Sequence, residues 1–508
     1  MNTHSMNYQL AQWLFVGFLL GVFLSAAPAT HIQTPSAGAD GADPAGLSET
    51  PNWTAESDQD YANFGVSVAS AGDVNGDGYS DVIVGANYSG RAFPGRVHVY
   101  HGSATGLSPT ANWTAEGDQE WSGFGFSVAT AGNVNGDGYD DVIVGAYAYD
   151  NGQIDEGRAY VYYGSAGGLS PTANWTAEGD QHGGPFGLCV CFGYSVSTAG
   201  DVNGDGYDDV VIGAYLYNND QMDEGRVFVY HGSLNGLSLT PSWTAESDQS
   251  GSFFGASVGT AGDVNGDGYG DVIVGADSYS NGQNSEGRAF VYYGSSVGLS
   301  LAPNWTAESD QSWADFGYSV GTAGDVNSDG FDDVIVGAIG YDNGQSYEGR
   351  AYVYHGSTTG LSLTNNWTAE SDQGNAYFGR SVGAADDVNG DGYGDVIVGA
   401  YLYDNGQNGE GRAYVYHGSP AGLNLIANWT TESDQASAEF GFAVATAGNV
   451  NGDSYQDVIV SARFYSNDQV GEGRAYVYHG HTDLPPRLYL PVMFNIRPAI
   501  QEMEVRER

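Results

Sequence analysis

The sequence predicts an all-β fold: a seven-bladed β-propeller of four-stranded antiparallel blades, its ring closed by the N-terminal strand completing the last blade. Three observations predict it. A nine-residue pattern, D-V-N-G-D-G-Y-D-D at Asp201–Asp209, recurs in versions beginning at Asp73, Asn133, Asp201, Asp263, Asp325, Asp387 and Asn449, at steps of 60, 68, 62, 62, 62 and 62 residues. Each repeat contains four short segments of strand character and no sustained helical period. A second marker, the tryptophan of N-W-T-A-E and its variants, also occurs seven times, at Trp53, Trp113, Trp175, Trp243, Trp305, Trp367 and Trp429. It is offset by one: the first copy precedes the first loop, and none follows the last. The last blade therefore lacks an outer strand and the N-terminal segment is spare. Pairing them removes two open edges.

Taken in order, residues 1–29 read as a signal peptide. The apolar run Trp13–Ala27 is short for a membrane span and leads into the small residues of Ala27-Pro28-Ala29, although no basic residue precedes it. An uncleaved anchor is the alternative. Residues 30–47 are small and polar and read as a linker, 48–481 as the propeller, and 482–508 as a C-terminal tail, either a flexible extension or a docking or sorting element.

The second repeat shows the four strands. Phe124–Gly132 leads into the loop. Asp141–Ala146, D-V-I-V-G-A, is nearly all apolar, as for a strand covered on both faces. Gly157–Gly164 alternates, and Asn174–Glu178 forms the outer strand.

Charge narrows function. The chain carries −48 net, with 14 basic residues that are all arginine. Nucleic acid and anionic lipid surfaces are excluded as partners, since phosphate contacts need a basic surface. The acidity has a local use in the loops. Oxygen-bearing side chains at places one, three, five and nine, a backbone carbonyl at seven and a glycine turn at six are the ligand pattern of Ca2+, which takes six to eight oxygens. These places are Asp73, Asn75, Asp77, Tyr79 and Asp81 in the first blade, and Asn133, Asn135, Asp137, Tyr139 and Asp141 in the second. The third has Asp201, Asn203, Asp205, Tyr207 and Asp209, and the fourth Asp263, Asn265, Asp267, Tyr269 and Asp271. The fifth has Asp325, Asn327, Asp329, Phe331 and Asp333, and the sixth Asp387, Asn389, Asp391, Tyr393 and Asp395. The seventh has Asn449, Asn451, Asp453, Tyr455 and Asp457, with Ser454 replacing the glycine, and is expected to bind most weakly. Up to seven Ca2+ are expected, which would bring −48 to −34. The alternative is an Asx-rich turn without metal. The twelfth place is apolar (Ile212 in the third copy), so this is not an EF-hand loop.

Phe-Gly, the D-x-N-x-D-G-x-x-D loop, V-I-V-G-A and G-R-x-x-V-Y, seven times over about residues 48–481, together resemble the FG-GAP repeats of integrin α-subunit β-propellers. The resemblance implies that the metal loops join first and second strands on one face, and that ligands and partner subunits use the opposite face. Integrins carry such loops in only some blades, whereas all seven have one here. With leg domains, membrane helix and cytoplasmic tail missing, the resemblance implies a secreted or cell-surface relative, monomeric as a propeller, rather than a heterodimeric receptor.

Other repeated residues read as structural. The seven arginines of Gly-Arg, such as Arg158, are expected to pair with carboxylates or cap carbonyls between blades. His101, His231, His355, His417 and His479 share their place with Tyr163 and Tyr293, which fits packing rather than catalysis. The N-x-T sequons, such as Asn112, belong to a repeated strand and need no glycan. Cys189 and Cys191 are two thiols or a local disulfide. Length changes fall in the connections opposite the loops: a six-residue insertion around His182–Cys191, and a shorter connection in the first blade.

These features predict a calcium-stiffened extracellular protein-interaction or adhesion module, with its ligand on the face opposite the metal, near blades 1 to 3. A carbohydrate-binding lectin is the alternative, with Trp121, Trp313 and Tyr347 as stacking residues. An enzyme, an extracellular hydrolase or lyase, is disfavoured because no non-repeating catalytic set is legible. A cluster of non-repeating acids in the central channel would favour it.

Overall fold

The computed structural model describes residues 46–89, 93–179, 181 and 190–482. The signal peptide, most of the linker, nearly all of the tail and most of the blade 3 insertion lie outside the described residues. Twenty-eight strands, β1 to β28 in chain order, form seven four-stranded antiparallel sheets. In the first blade β2 (Phe64–Gly72), β3 (Asp81–Ala86), β4 (Arg96–Tyr100) and β5 (Trp113–Glu116) lie side by side from the axis outward. The last sheet runs β26 (Phe440–Gly448), β27 (Asp457–Ala462), β28 (Arg474–Tyr478) and then β1 (Trp53–Glu56).

The closing pair is in register from Trp53 opposite Val477 to Glu56 opposite Arg474. Pairing begins earlier than β1: Leu47 bridges Gly480 and is fully buried, so the propeller wall starts inside the expected linker. The Trp429 indole N–H also donates to the Ser48 carbonyl, 3.1 Å away.

The second strands read as continuous apolar runs because both faces are covered, and all six residues are buried in every blade. The core lies between blades. Across the seam, Phe64, Val82, Val84 and Tyr100 of the first blade pack with Val450, Ile459 and Val477 of the last. The outer tryptophan closes each joint from outside. Trp53 meets the Tyr100 ring edge-on at 4.7 Å and donates from Nε1 to the Ser108 carbonyl at 2.9 Å.

The glycine of V-I-V-G-A is fixed by close approach. A Cβ on Gly85 would stand 2.0 Å from the Gly125 carbonyl oxygen of the next blade. Near the axis, a first-strand serine latches the next blade in six of the seven: the Val128 N–H donates to Ser67 Oγ (3.1 Å) and the Val196 N–H to Ser127 Oγ (3.1 Å). The last blade has Ala443 at this place.

The repeated arginines pair with a carboxylate, and the partner is the fourth-strand glutamate of the same blade. Arg96 reaches Glu116 at 2.8 Å and Arg412 reaches Glu432 at 2.6 Å, while Arg474 pairs with Glu56 across the ring closure. Arg226 is looser, 3.9 Å from Glu246, and bonds the Tyr217 and Thr244 hydroxyls instead.

Candidate metal loops and ligand face

Each loop leaves the end of a first strand and enters the second at its ninth place. Those ninth aspartates, Asp81, Asp141, Asp209, Asp271, Asp333, Asp395 and Asp457, are fully buried. Both oxygens accept backbone N–H groups: Asp81 takes Val74 at 3.0 Å on Oδ2 and Gly102 at 2.8 Å on Oδ1. The side chain thereby ties the loop to the end of the third strand. The first-place Asp73 accepts from Gly76 (2.7 Å), Asp77 (3.1 Å) and Gly78 (2.8 Å), winding the chain around itself, and Asp77 accepts from Tyr79 at 3.1 Å.

Burial, followed by the nearby charges of Asp77 and Asp73, pushes Asp81 up to about 7 despite its two backbone hydrogen bonds. Asp209 and Asp395 rise to about 8 for the same reasons. A buried carboxyl flanked by further acids is a donor set that fits a hard divalent cation. A carboxylate that accepts two N–H bonds still has lone pairs to offer. Among the described residues, three acidic side chains bring one oxygen each within 4.8 Å of one another only at Glu348, Glu370 and Asp372, on the opposite face. The loop acids stand wider, with their oxygens turned to backbone donors.

Two loop features escaped the sequence reading. The fourth place is left-handed, with φ 73° at Gly76, and the Tyr139 ring of the next blade covers it so closely that a Cβ would meet that ring at 2.5 Å. The eighth residue also reaches back between blades, as Asp140 Oδ2 accepts the Asp73 N–H at 2.7 Å. The recurring aromatic at place seven was the available signal. Two loops place serine in the left-handed region: Ser328 (φ 56°) at place four, and Ser454 (φ 78°) at place six.

The opposite face is where the repeats stop repeating. The residue before each Phe-Gly is Asn63, Gly123, Cys191, Phe253, Asp315, Tyr377 or Glu439, and all seven are left-handed, with φ between 53° and 71°. The residue three before the phenylalanine is left-handed in the six blades described, including Tyr61, Trp121 and Trp313, each more than half exposed. Left-handed non-glycine residues cost about 1–2 kcal/mol each, so these connections hold strain and present large side chains.

Further in, a cavity of about 250 Å³ is lined by first-strand residues of all seven blades. The residue after Phe-Gly points to it and varies around the ring: valine, phenylalanine, tyrosine, alanine, tyrosine, arginine and phenylalanine in blade order. Non-repeating acids gather at this mouth. Burial, with the Asp315 charge second, pushes Asp277 up to about 7, and burial raises Asp315 to about 6. Glu439 pairs with Arg463 at 2.7 Å.

The histidine series is a packing position. The His101 ring abuts Gly168 of the next blade, where a Cβ would lie 3.3 Å away, and Tyr163 takes the same place against Gly236. The sequon asparagines serve the strand: Asn112 Oδ1 accepts the His101 N–H at 3.0 Å. Cys191 is disulfide-bonded; the chain's other cysteine, Cys189, lies outside the described residues. No helix among the described residues is long and apolar enough to cross a membrane.

A family model described as FG-GAP repeat matches residues 64–100, 124–162, 192–230, 254–292, 316–354, 378–416 and 440–478. The chain is similar to integrin alpha-5 of Xenopus laevis, 34% identical over 259 residues that cover 49% of this chain and 23% of that protein. It is 35% identical to integrin alpha-PS2 of Drosophila melanogaster over 43% of this chain and 16% of that one. Integrin alpha-V of Gallus gallus is 32% identical over 43% of this chain and 20% of that one. The chain thus spans less than a quarter of the length of these relatives. Among solved structures, an exotype rhamnogalacturonan lyase aligns with a TM-score of 0.41 and 15% identity, covering 86% of this chain and 74% of that one.

Proposed function

Because the chain belongs to the FG-GAP repeat family, we propose that it is an extracellular interaction and adhesion module, fastened by Ca2+ in its blade loops and binding its ligand on the opposite face. The carrying observation is the split between the two ends of the ring. Loop geometry repeats from blade to blade, with Val74-to-Asp81 and Val450-to-Asp457 bonds of 3.0 and 2.9 Å. The other end varies at every blade and holds its side chains in left-handed conformations. Uniformity is what a fastener needs, and variety is what recognition needs.

Bound Ca2+ would supply positive charge to the loop acids, and places one, three, five, seven and nine of each loop would hold it. The chain does the rest. Asp81 and its equivalents pin the loop to the third strand, and the place-eight side chains of Ser80, Asp140, Asp208 and Asp332 tie neighbouring loops. At tenfold excess over Kd one site contributes about 1.4 kcal/mol, and seven such sites about 10 kcal/mol, comparable with the whole stability of an ordinary domain.

The test is a pull-down from an extracellular fraction with and without calcium, run in parallel with thermal melts. Chelation is expected to lower the melt sharply and abolish capture. An unchanged melt refutes the fastener, and calcium-independent capture refutes its coupling to binding. A lectin is the second reading, favoured by the exposed, left-handed Tyr61, Trp121 and Trp313, and a glycan array decides it. Asp277 and Asp315 are the observation that favours an extracellular hydrolase or lyase. New chain ends from a polysaccharide panel would establish it, and none are expected.

A further inference from the structure

The cavity at the ring axis contains two groups that the fold leaves unsatisfied. Nine arginines are described, and eight of them pair with a carboxylate. Arg380 is the exception. Its guanidinium lies 5.0 Å from the Tyr318 ring centre and 4.2 Å from that of Phe442, its neighbours on either side in the ring of channel residues. The two rings flank the fork, and among the described residues no acid lies within ion-pair distance of it. In a chain of −48 net charge, with acids abundant at the same mouth, an unpaired arginine lining a cavity is a vacant anion site.

The second group is Asp277, which lines the same cavity; Ser278 supports its carboxyl, but its Oδ1 is enclosed and has no hydrogen-bond partner. The space beside it comes from one substitution in the ring. Blade 4 places Ala256 between Tyr194 and Tyr318, leaving a recess where the neighbouring blades carry aromatic rings. Ser195 and Ser257 border it. Each accepts an N–H from the following blade, at 3.0 and 3.1 Å, and keeps its own O–H to donate.

A guanidinium fork, flat aromatic walls, hydroxyl donors and a carboxyl in about 250 Å³ specify a small ligand that has a ring, hydroxyls and a carboxylate. That volume is below the range of about 300–1,000 Å³ typical of drug-sized ligands, so one sugar unit fits and a folded peptide segment does not. We propose that this cavity binds a sugar acid, a hexuronate free or at the end of a glycan, with its carboxylate on Arg380, its ring against Tyr194 and Tyr318, and its hydroxyls on Asp277, Ser195 and Ser257. The proposal rests on the assignment of this face as the ligand face and adds the chemical class of the ligand.

The experiment is calorimetric titration of the calcium-loaded full chain with glucuronate and galacturonate, beside glucose, acetate and a short acidic peptide. At least one uronate is expected to bind at least tenfold more tightly than glucose or acetate. R380M keeps the stem between the rings but removes the fork, and is expected to weaken uronate binding at least tenfold. A256F fills the recess with a residue the ring already carries in blades 2 and 7, and is expected to abolish binding with an unchanged melt. Flat titrations with both uronates, equal uronate binding by R380M, or tighter binding of the peptide or acetate would each overturn the proposal. Failure of the calcium-fastened module shows separately, as a melt indifferent to chelation.

Discussion

Replacing Trp53 by alanine tests how the ring is closed. Trp53 is 8% exposed, stacks edge-on with Tyr100, donates to the Ser108 carbonyl and begins the four-residue pairing with β28. Trp243 has nearly the same contacts within the chain: 7% exposed, 4.9 Å from the Tyr292 ring and 3.0 Å from the Ser300 carbonyl. Truncating either buried indole should cost about 3–5 kcal/mol. The consequences differ because both ends of the strand containing Trp243 continue into blades, whereas β1 does so at one end and is held at the other by the Leu47–Gly480 bridge and the Trp429–Ser48 hydrogen bond. W53A should therefore also release β1, break the Arg474–Glu56 pair and leave β28 as an open edge. Urea unfolding reads the energy, and amide hydrogen exchange of Trp53–Glu56 and Arg474–Tyr478 reads the release. Exchange in W53A no faster there than in W243A would refute closure by the N-terminal strand.

His98 occupies a strand position where blades 2 and 3 have Tyr160 and Phe228; its Nε2 is enclosed without a partner, and burial lowers it from 6.5 to about 4. The folded state resists protonation, so stability is full above about pH 6.5 and is lost as pH falls toward 4, by about 1–3 kcal/mol. H98Y should remove that increment, read as a smaller drop in melting temperature between pH 7 and 4 than in the native chain. S454G relieves a left-handed serine and should stabilise the seventh blade by about 1 kcal/mol while tightening its calcium; urea melts and calcium titration check both. N449D restores the first-place carboxylate and should tighten the same loop further, with no effect on the melt when calcium is absent.

The fold was legible because the pattern was redundant. The offset between the loops and the tryptophans anticipated the pairing of Trp53–Glu56 with Arg474–Tyr478. Burial on both faces of D-V-I-V-G-A followed from its lack of polar alternation. What one strand cannot show is its neighbour in the next blade. The cover of Tyr139 over Gly76 and the serine latches join residues about 60 positions apart, so nothing local announces them. The channel mouth was hidden differently. Comparison of the repeats draws the eye to what recurs, and Arg380, Ala256 and Asp277 matter because they do not. Glu439 and Arg463 are 24 residues apart and unique to the last blade, and they meet where β26 pairs with β27, Phe440 standing opposite Ala462.

Counting metal tests the central claim most directly. The full chain, stripped with chelator and dialysed against calcium, is measured for bound calcium per chain alongside its melting temperature. Seven ions at saturation, the last entering the Asn449–Asp457 loop, with the melt rising as they bind, is the predicted result. A chain that retains no calcium above background and melts at the same temperature with and without it would contradict the account.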